Sequence, residues 1–298
     1  MDRVEIPNQA TYSPVALTDV FIAAPLVSRV LLGATLPGRM LQAVAFGAYA
    51  GSALADWIAR QDAVPVDLAD VLGTDPAGVE PLSDEERRAE VAELVADLNA
   101  RYEPLTLPRD ELARLVNERL TDYLASLTGQ RVETSSEVRS FSLAKLVFPF
   151  ALGACDVLSG DVALFRETGI FEPHVIAHEF CHRKGYIREL EAQVLAYMAL
   201  STAPENVLVQ AAHAERLHRH LRVLAGEGIE AFHREVDECG LRAELTAQFH
   251  GLRPPPSAWE RGVWTVMKPL YEQRMKMTGQ GGLSDYDRGF TDFVARRG

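Results

Sequence analysis

HVIAHEFCHRKGYIRELEAQVLAYMAL, residues 174–200, contains HExxH as His178-Glu179-Phe180-Cys181-His182 and governs how the rest of the chain is read. Pro173 just ahead of it suits the first turn of a helix, where its missing N–H leaves no hydrogen bond unmade. In that helix His178 and His182 stand one turn apart on one face. Their imidazoles can therefore converge on a single ion at about 2.0–2.1 Å each. Glu179 is rotated off the pair, beside the ion, where a carboxylate can take a proton from metal-bound water. Gly185 lets the helix end and the chain turn sharply. A second helix from Arg188 then leans back over the first.

A catalytic zinc keeps three protein ligands and one open position. Glu189 opens the second helix, and Gln193 follows one turn later on the same face, giving a carboxylate ligand the hydrogen-bonding support such ligands need. Glu191 is the alternative third ligand. It projects toward Leu195 and Met198, and a carboxylate buried there needs a partner. Arg188, between the two helices, is expected to pair with whichever glutamate is not bound. Cys181 points away from the histidines and reads as a small packing residue. His174, one turn before His178, reads as a neighbour at the rim. His213, His218 and His220 fall in HAERLHRHL on a mostly polar helix without a carboxylate ligand pattern, and read as solvated surface.

Outward from this unit the chain is mainly helical. SDEE, residues 83–86, is a capping box with Ser83 as N-cap and Glu86 three residues on. Val91, Leu94, Val95 and Leu98 follow at helical spacing. LTLPRDELARLVNERLTDYLASLTG, residues 105–129, reads as a second helix, with Leu115, Leu120 and Leu124 on one side and Gly129 closing it. Residues 138–165 change character, with β-branched, aromatic and glycine residues that suggest short strands. DVALF, residues 161–165, is the strand candidate, placed at a sheet edge where it would hold an extended peptide. From Pro173 the helical pattern runs to about Phe249, broken at RKGY, APEN, AGEG and ECG. A last helix covers 259–277, followed by a glycine-rich loop, TGQGGLSDYDRGF. The fold class is mostly α with a small β-sheet (α+β). It divides into an N-terminal apolar hairpin (1–62), a Pro/Gly/Asp-containing linker (63–82) and a domain over 83–298 that carries the HExxH unit.

The chain has 298 residues and a net charge of −12, so no nucleic-acid partner is expected. No phosphate-binding glycine loop appears, and no nucleotide cofactor is expected. Three scattered cysteines do not make a disulfide framework and suit a reducing, cytoplasmic setting. The opening MDRVEIPNQATYSP is polar, with Asp2 and Glu5 where a signal peptide carries positive charge. Residues 15–33 and 40–59 are strongly apolar and flank ATLPGR. Each carries charge (Asp19 and Arg29, then Asp56), which makes them marginal as spanning helices. They read as a hairpin packed on the domain, with membrane association through residues 15–60 as the alternative.

HEFCHRKGYIRELEAQVLAYMAL also resembles the zinc-metallopeptidase-like segment of the bacterial domain-of-unknown-function family 3810, roughly HE-x-x-H-x-x-G-x-x-R-E-x-E-A-N-x-x-A-Y. SLAKLVFPFALGACDVLSGDVALF and LYEQRMKMTGQGGLSDYDRG are similar to stretches before and after that segment. The likeness covers about residues 85–298, with Gln193 standing where the family tends to have asparagine. It implies a gluzincin-like core, with His178 and His182 as zinc ligands, Glu179 as the catalytic residue and a following glutamate as third ligand. It also implies N-terminal membrane helices in many members. The expected function is a zinc-dependent hydrolase, most simply a metallopeptidase in which Glu179 activates zinc-bound water against a peptide carbonyl. Tyr286 is the candidate donor to the tetrahedral oxyanion, with Tyr271 and Tyr186 as alternatives. The competing expectations are a zinc enzyme acting on a non-peptide small molecule and a protein with purely structural zinc.

Overall fold

The computed structural model describes residues 2–6, 16–63, 65, 67–74, 78–156, 160–226, 228–277 and 283–297. The chain opens with strand β1 (Asp2–Ile6) and a hairpin of helices α1 (Leu17–Leu32) and α2 (Leu36–Arg60). A short helix α3 (Leu68–Leu72) follows, capped by the Asp67 carboxylate and ending in buried Leu72, so the expected linker touches the core. Then come α4 (Asp84–Arg101) and α5 (Arg109–Thr128). Ser83 and Glu86 form the reciprocal capping box that starts α4, and Gly129 ends α5 in a left-handed conformation. Short pieces occupy the middle of the chain: β2 (Gln130–Thr134), β3 (Arg139–Ser140), α6 (Ala144–Val147), β4 (Gly153–Cys155) and β5 (Val162–Leu164).

The rest is helical: α7 (Glu172–Arg183), α8 (Glu189–Ser201), α9 (Asn206–Ala225), α10 (Ile229–Glu238), α11 (Ala243–Leu252), α12 (Ala258–Met277) and α13 (Leu283–Arg297). Residues 283–290, read from sequence as part of a glycine-rich loop, therefore begin a helix. Phe290 and Phe293 of that helix are buried in the main core, and their burial overrides the local glycine content.

The main core forms where α5, α7, α8 and α13 meet. Leu112, Val116, Leu120 and Leu124 of α5 face Ile176 and Phe180 of α7 and Leu195 and Leu200 of α8. Each fully buried Leu or Phe contributes about 1.5–3 kcal/mol. A second cluster joins Leu94 and Leu98 of α4 to Leu217 and Leu221 of α9, with Phe232 and Phe249 from α10 and α11.

Two small sheets flank the helices. In one, β1 pairs with β2 in parallel register, Asp2 opposite Gln130 and Ile6 opposite Thr134. Buried Lys184, just beyond α7, ties that sheet to the helices. Its Nζ donates to Val132 O at 2.8 Å and to Thr121 Oγ1 at 2.9 Å, and burial pushes the ammonium down to about 7. The second sheet has the order β3-β5-β4, with β5 parallel to β3 and antiparallel to β4. DVALF is therefore the central strand and not the edge expected from sequence. Its residues Val162, Ala163 and Leu164 are buried because neighbours pair with it on both sides. The edge nearest α7 belongs to β4.

The α1–α2 hairpin packs on itself more than on the domain. The Asp19 carboxylate clips it to the body by accepting the backbone N–H groups of Ser142, Leu143 (3.1 Å) and Ala144 (2.9 Å). Halfway along α2, the Tyr49 hydroxyl bonds the Asp156 carboxylate at 3.1 Å. Between these clips the hairpin leaves large apolar side chains in the open, with Val30 at 83%, Leu31 at 74% and Leu36 at 72% exposure. The reading of a hairpin packed on the domain is thus corrected. Polar clips hold it, and much of its apolar surface faces outward. Among the described residues, no helix is long and apolar enough to cross a membrane.

Candidate metal centre

Helix α7 brings His178 and His182 onto one face, and the turn at Gly185 returns the chain so that α8 begins beside them. Gly185 has φ +104°, a conformation side-chain-bearing residues rarely adopt. Pro65 lies where a Cβ would be, 3.0 Å from it. This tight turn places Glu189 at the first position of α8, against the two imidazoles. His178 Nε2 and His182 Nε2 are 3.1 Å apart, and Glu189 Oε2 lies 3.2 Å from the first and 3.5 Å from the second. Among the described residues, these three form the one His/Cys/Asp/Glu group whose donor atoms lie close enough together to hold a metal ion.

The donor chemistry fits zinc. His182 Nδ1 lies 2.6 Å from the Tyr186 carbonyl oxygen, which can only accept, so Nδ1 carries a proton and Nε2 is the nitrogen that faces His178 and Glu189. Two ring nitrogens and a carboxylate oxygen thus converge on one point, as the donors of a zinc site do. Donors bound tetrahedrally at about 2.0–2.1 Å lie about 3.3 Å from one another, which matches the observed spacings. Without a metal the group answers with a proton. Burial works against charging His182, but the hydrogen bond and charge of Glu189 outweigh it and push the imidazole up to about 9. Burial likewise disfavours the Glu189 carboxylate, and the two histidines overcome it and hold it well below the usual carboxylate range.

Glu179, one residue beyond His178, is 6% exposed and lies between α7 and β4. A Cβ added at Gly153 would sit 3.0 Å from Glu179 Cγ and 3.1 Å from its Oε1, so the missing side chain of Gly153 is what admits the carboxylate. Burial pushes Glu179 above the usual carboxylate range, while the charges of His178 and His182 pull it back.

The structure separates the two candidate third ligands. Glu189 reaches the histidines, whereas Glu191 is turned toward Arg188, whose Nη1 donates to it at 3.1 Å. Gln193 does not act through a direct hydrogen bond to Glu189 among the contacts described. Its Nε2 donates to Glu215 Oε1 at 2.9 Å, and its Oε1 accepts the Tyr286 hydroxyl at 2.7 Å. Tyr286 therefore lies beside α8 with its proton committed to Gln193. Tyr186 is buried in the main core, and its backbone carbonyl is the partner of His182. The side chain of Tyr271 lies outside the described residues. Cys181 is buried in the main core, on the side of α7 away from the centre.

Four histidines sit elsewhere than their neighbours in sequence suggest. His174 is 2% exposed rather than at the rim, because α5, α8 and α9 pack around α7, and burial pushes it down to about 4. His218 is enclosed by the rings of Phe171 and Phe232, and burial pushes it down to about 4. His220 is fully buried, with Nδ1 3.2 Å from Arg87 Nη1. His213 is partly buried and bonds Asp97 Oδ2 at 2.6 Å. Partners from distant elements bury these side chains, so the polar look of HAERLHRHL misleads. Glu215, Arg219 and Asp287 escaped the sequence reading altogether. The single signal for them was the i,i+4 spacing of Glu215 and Arg219, which also describes an ordinary surface pair.

Compared with known proteins, the chain matches no family model, no curated protein and no solved structure.

Proposed function

We propose that the protein is a zinc-dependent hydrolase with a gluzincin-like centre, and most simply a metallopeptidase. The observation that carries this reading is the convergence of His178 Nε2, His182 Nε2 and Glu189 Oε2 at 3.1–3.5 Å, with the buried Glu179 carboxyl, which accepts the Cys155 backbone N–H, one residue beyond His178 on α7. Zinc held by these three residues would supply Lewis acidity, lowering the pKa of a water toward about 7 and polarising a carbonyl. Glu179 takes the proton of the attacking water and returns it to the leaving amine, a role its raised proton affinity suits. The Tyr186 carbonyl fixes the tautomer and ring plane of His182. At the sheet edge beside Glu179, β4 offers backbone groups with which an extended peptide can pair. A carboxyl in the Glu179 position has no use in a purely structural site. The test is metal content and hydrolysis of a broad peptide library by wild type and Glu179→Gln. Both proteins should bind one zinc and wild type alone should cleave. Zinc-loaded wild type that cleaves nothing sinks the peptidase reading.

The hairpin suggests a lipid surface as partner. Its exposed residues include Val30, Leu31, Leu36, Met40 and Val44, and between residues 20 and 55 its charges are Arg29 and Arg39 alone. An apolar surface edged by these two arginines suits insertion into the headgroup region of a bilayer without crossing it. Co-sedimentation with phosphatidylglycerol vesicles should be strong and should be lost in Leu31→Asp/Val44→Asp. Equal pelleting of both proteins sinks this assignment.

A further inference from the structure

Tyr286 raises a question of direction, because a hydroxyl bonded to Gln193, one turn after Glu189, can present either its proton or its lone pair. Oxygen and nitrogen of a glutamine side chain look alike by shape, so the surrounding hydrogen bonds must decide which way Gln193 faces. Glu215 decides it. This residue is 2% exposed, on α9, and its Oε1 accepts both Gln193 Nε2 at 2.9 Å and Arg219 Nε at 2.6 Å. Burial disfavours the Glu215 carboxylate, but the Arg219 charge outweighs it and holds the group well below the usual carboxylate range. An ionised carboxylate only accepts, so Gln193 must turn its NH2 toward Glu215. Its carbonyl then faces Tyr286, and the tyrosine must donate. The reverse amide would set two acceptor oxygens against each other in a buried site, where an unmet acceptor costs about 1–3 kcal/mol. The surroundings hold the arrangement in place. Arg219 covers the Tyr286 ring at 4.9 Å and donates to Asp287 Oδ1 at 2.6 Å, and Arg222 pairs with the same carboxylate at 3.0 Å.

We propose that Glu215 is a positioning residue. By fixing the Gln193 amide it commits the Tyr286 O–H to Gln193, one turn after Glu189 on α8, so that toward any other group the tyrosine offers an acceptor. On the hydrolase reading, on which this functional consequence rests, the Tyr286 oxygen accepts a hydrogen bond from a donor such as the leaving amine and does not stabilise the oxyanion. The hydrogen-bond relay itself holds whether or not the protein is an enzyme.

The test reads Tyr286 directly. The Raman Fermi doublet of tyrosine distinguishes a phenol that donates from one that accepts, and the difference spectrum against Tyr286→Phe isolates this one among eight tyrosines. Wild type should show a donor-type doublet. Glu215→Met, which has no acceptor, should lose it, whereas Glu215→Gln should keep it, since one oxygen at that position serves both Gln193 and Arg219. Gln193→Met leaves the Glu215–Arg219 pair intact and should also lose the donor doublet, which keeps the test decisive if Glu215→Met does not fold. In the zinc-loaded protein, Glu215→Met should lower kcat about tenfold with KM unchanged, and should add nothing on a Tyr286→Phe background. A donor doublet that survives in folded Glu215→Met or Gln193→Met overturns the proposal. So does a kcat loss equally large without Tyr286. A doublet that shifts as expected in a protein that hydrolyses nothing overturns the hydrolase reading and leaves the relay standing.

Discussion

Replacing Gly153 by alanine adds one methyl group at the point where β4 passes closest to Glu179. The new Cβ would lie 3.0 Å from both Glu179 Cγ and Val175 Cγ1, and 3.1 Å from Glu179 Oε1. Carbon atoms in contact normally sit about 3.5–4.0 Å apart, so the strand or the carboxylate must yield by about 0.5–1 Å. Val175 and Glu179 both belong to α7, which is held on its other sides by the main core, and this leaves the Glu179 side chain as the part that moves. Overpacking of this kind costs about 1–3 kcal/mol in stability. A displacement of about 1 Å at a reacting group costs about a hundredfold in rate. His178, His182 and Glu189 are not among the atoms met, so metal binding should be unaffected. Gly153→Ala should therefore bind one zinc, melt a few degrees lower and lose about two orders of magnitude in kcat/KM. Metal analysis, calorimetry and peptide cleavage on the same preparation check all three. Wild-type turnover, or loss of the zinc, would refute the packing of Glu179 against β4 as the basis for its placement.

Three further expectations follow from the same geometry. In the metal-free protein His182 holds its proton up to about 9, so zinc uptake at neutral pH should expel it; titration calorimetry in two buffers of different ionisation enthalpy should show that release, and buffer-independent heats would contradict it. His174, His218 and His220 are pushed down to about 4, 4 and 3, below their unfolded value near 6.5, so they stay neutral in the folded state. The stability tied to them is whole above about 6.5 and is lost as pH falls through those values, each histidine adding up to about 1.4 kcal/mol per pH unit; a urea midpoint that stays flat from pH 7 to 4 would exclude it. Asp19→Ala removes the acceptor of three backbone N–H groups at 142–144 and should cost about 1–2 kcal/mol, seen as faster proteolysis of the hairpin with zinc content unchanged.

Local chemistry made much of the helical part legible. HExxH, the glycine that follows it and the capping box at Ser83 depend on spacing within a turn or two, and spacing survives folding. The match of Glu189 rather than Glu191 to the histidines has the same origin, since a residue at the first position of α8 is nearest the turn that brings the helices together. What failed to show was long-range. β1 reads as part of a polar stretch until β2, more than a hundred residues later, pairs with it. DVALF looks like an edge strand until β3 and β4 take both its sides. His218 and His220 look solvated because the rings and the arginine that enclose them come from α4, α10 and the turn before α7. Exposure of the hairpin depended on what did not come to cover it, and no pattern within the hairpin itself carries that information.

Cys181 lies inside the HExxH sequence and Cys155 on the strand beside Glu179, yet neither sulfur joins the candidate ligand group. Burial, with Glu179 adding to it, pushes the Cys155 thiol up to about 12, and burial raises Cys181 as well. A protonated, enclosed thiol is a poor nucleophile and a poor ligand. The candidate centre is accordingly a nitrogen–oxygen group, with the Cys155 and Cys181 thiols held protonated. Alkylating agents and mild oxidants should leave it intact, while a chelator should reach it. Soft ions gain no thiolate there with which to displace a borderline one.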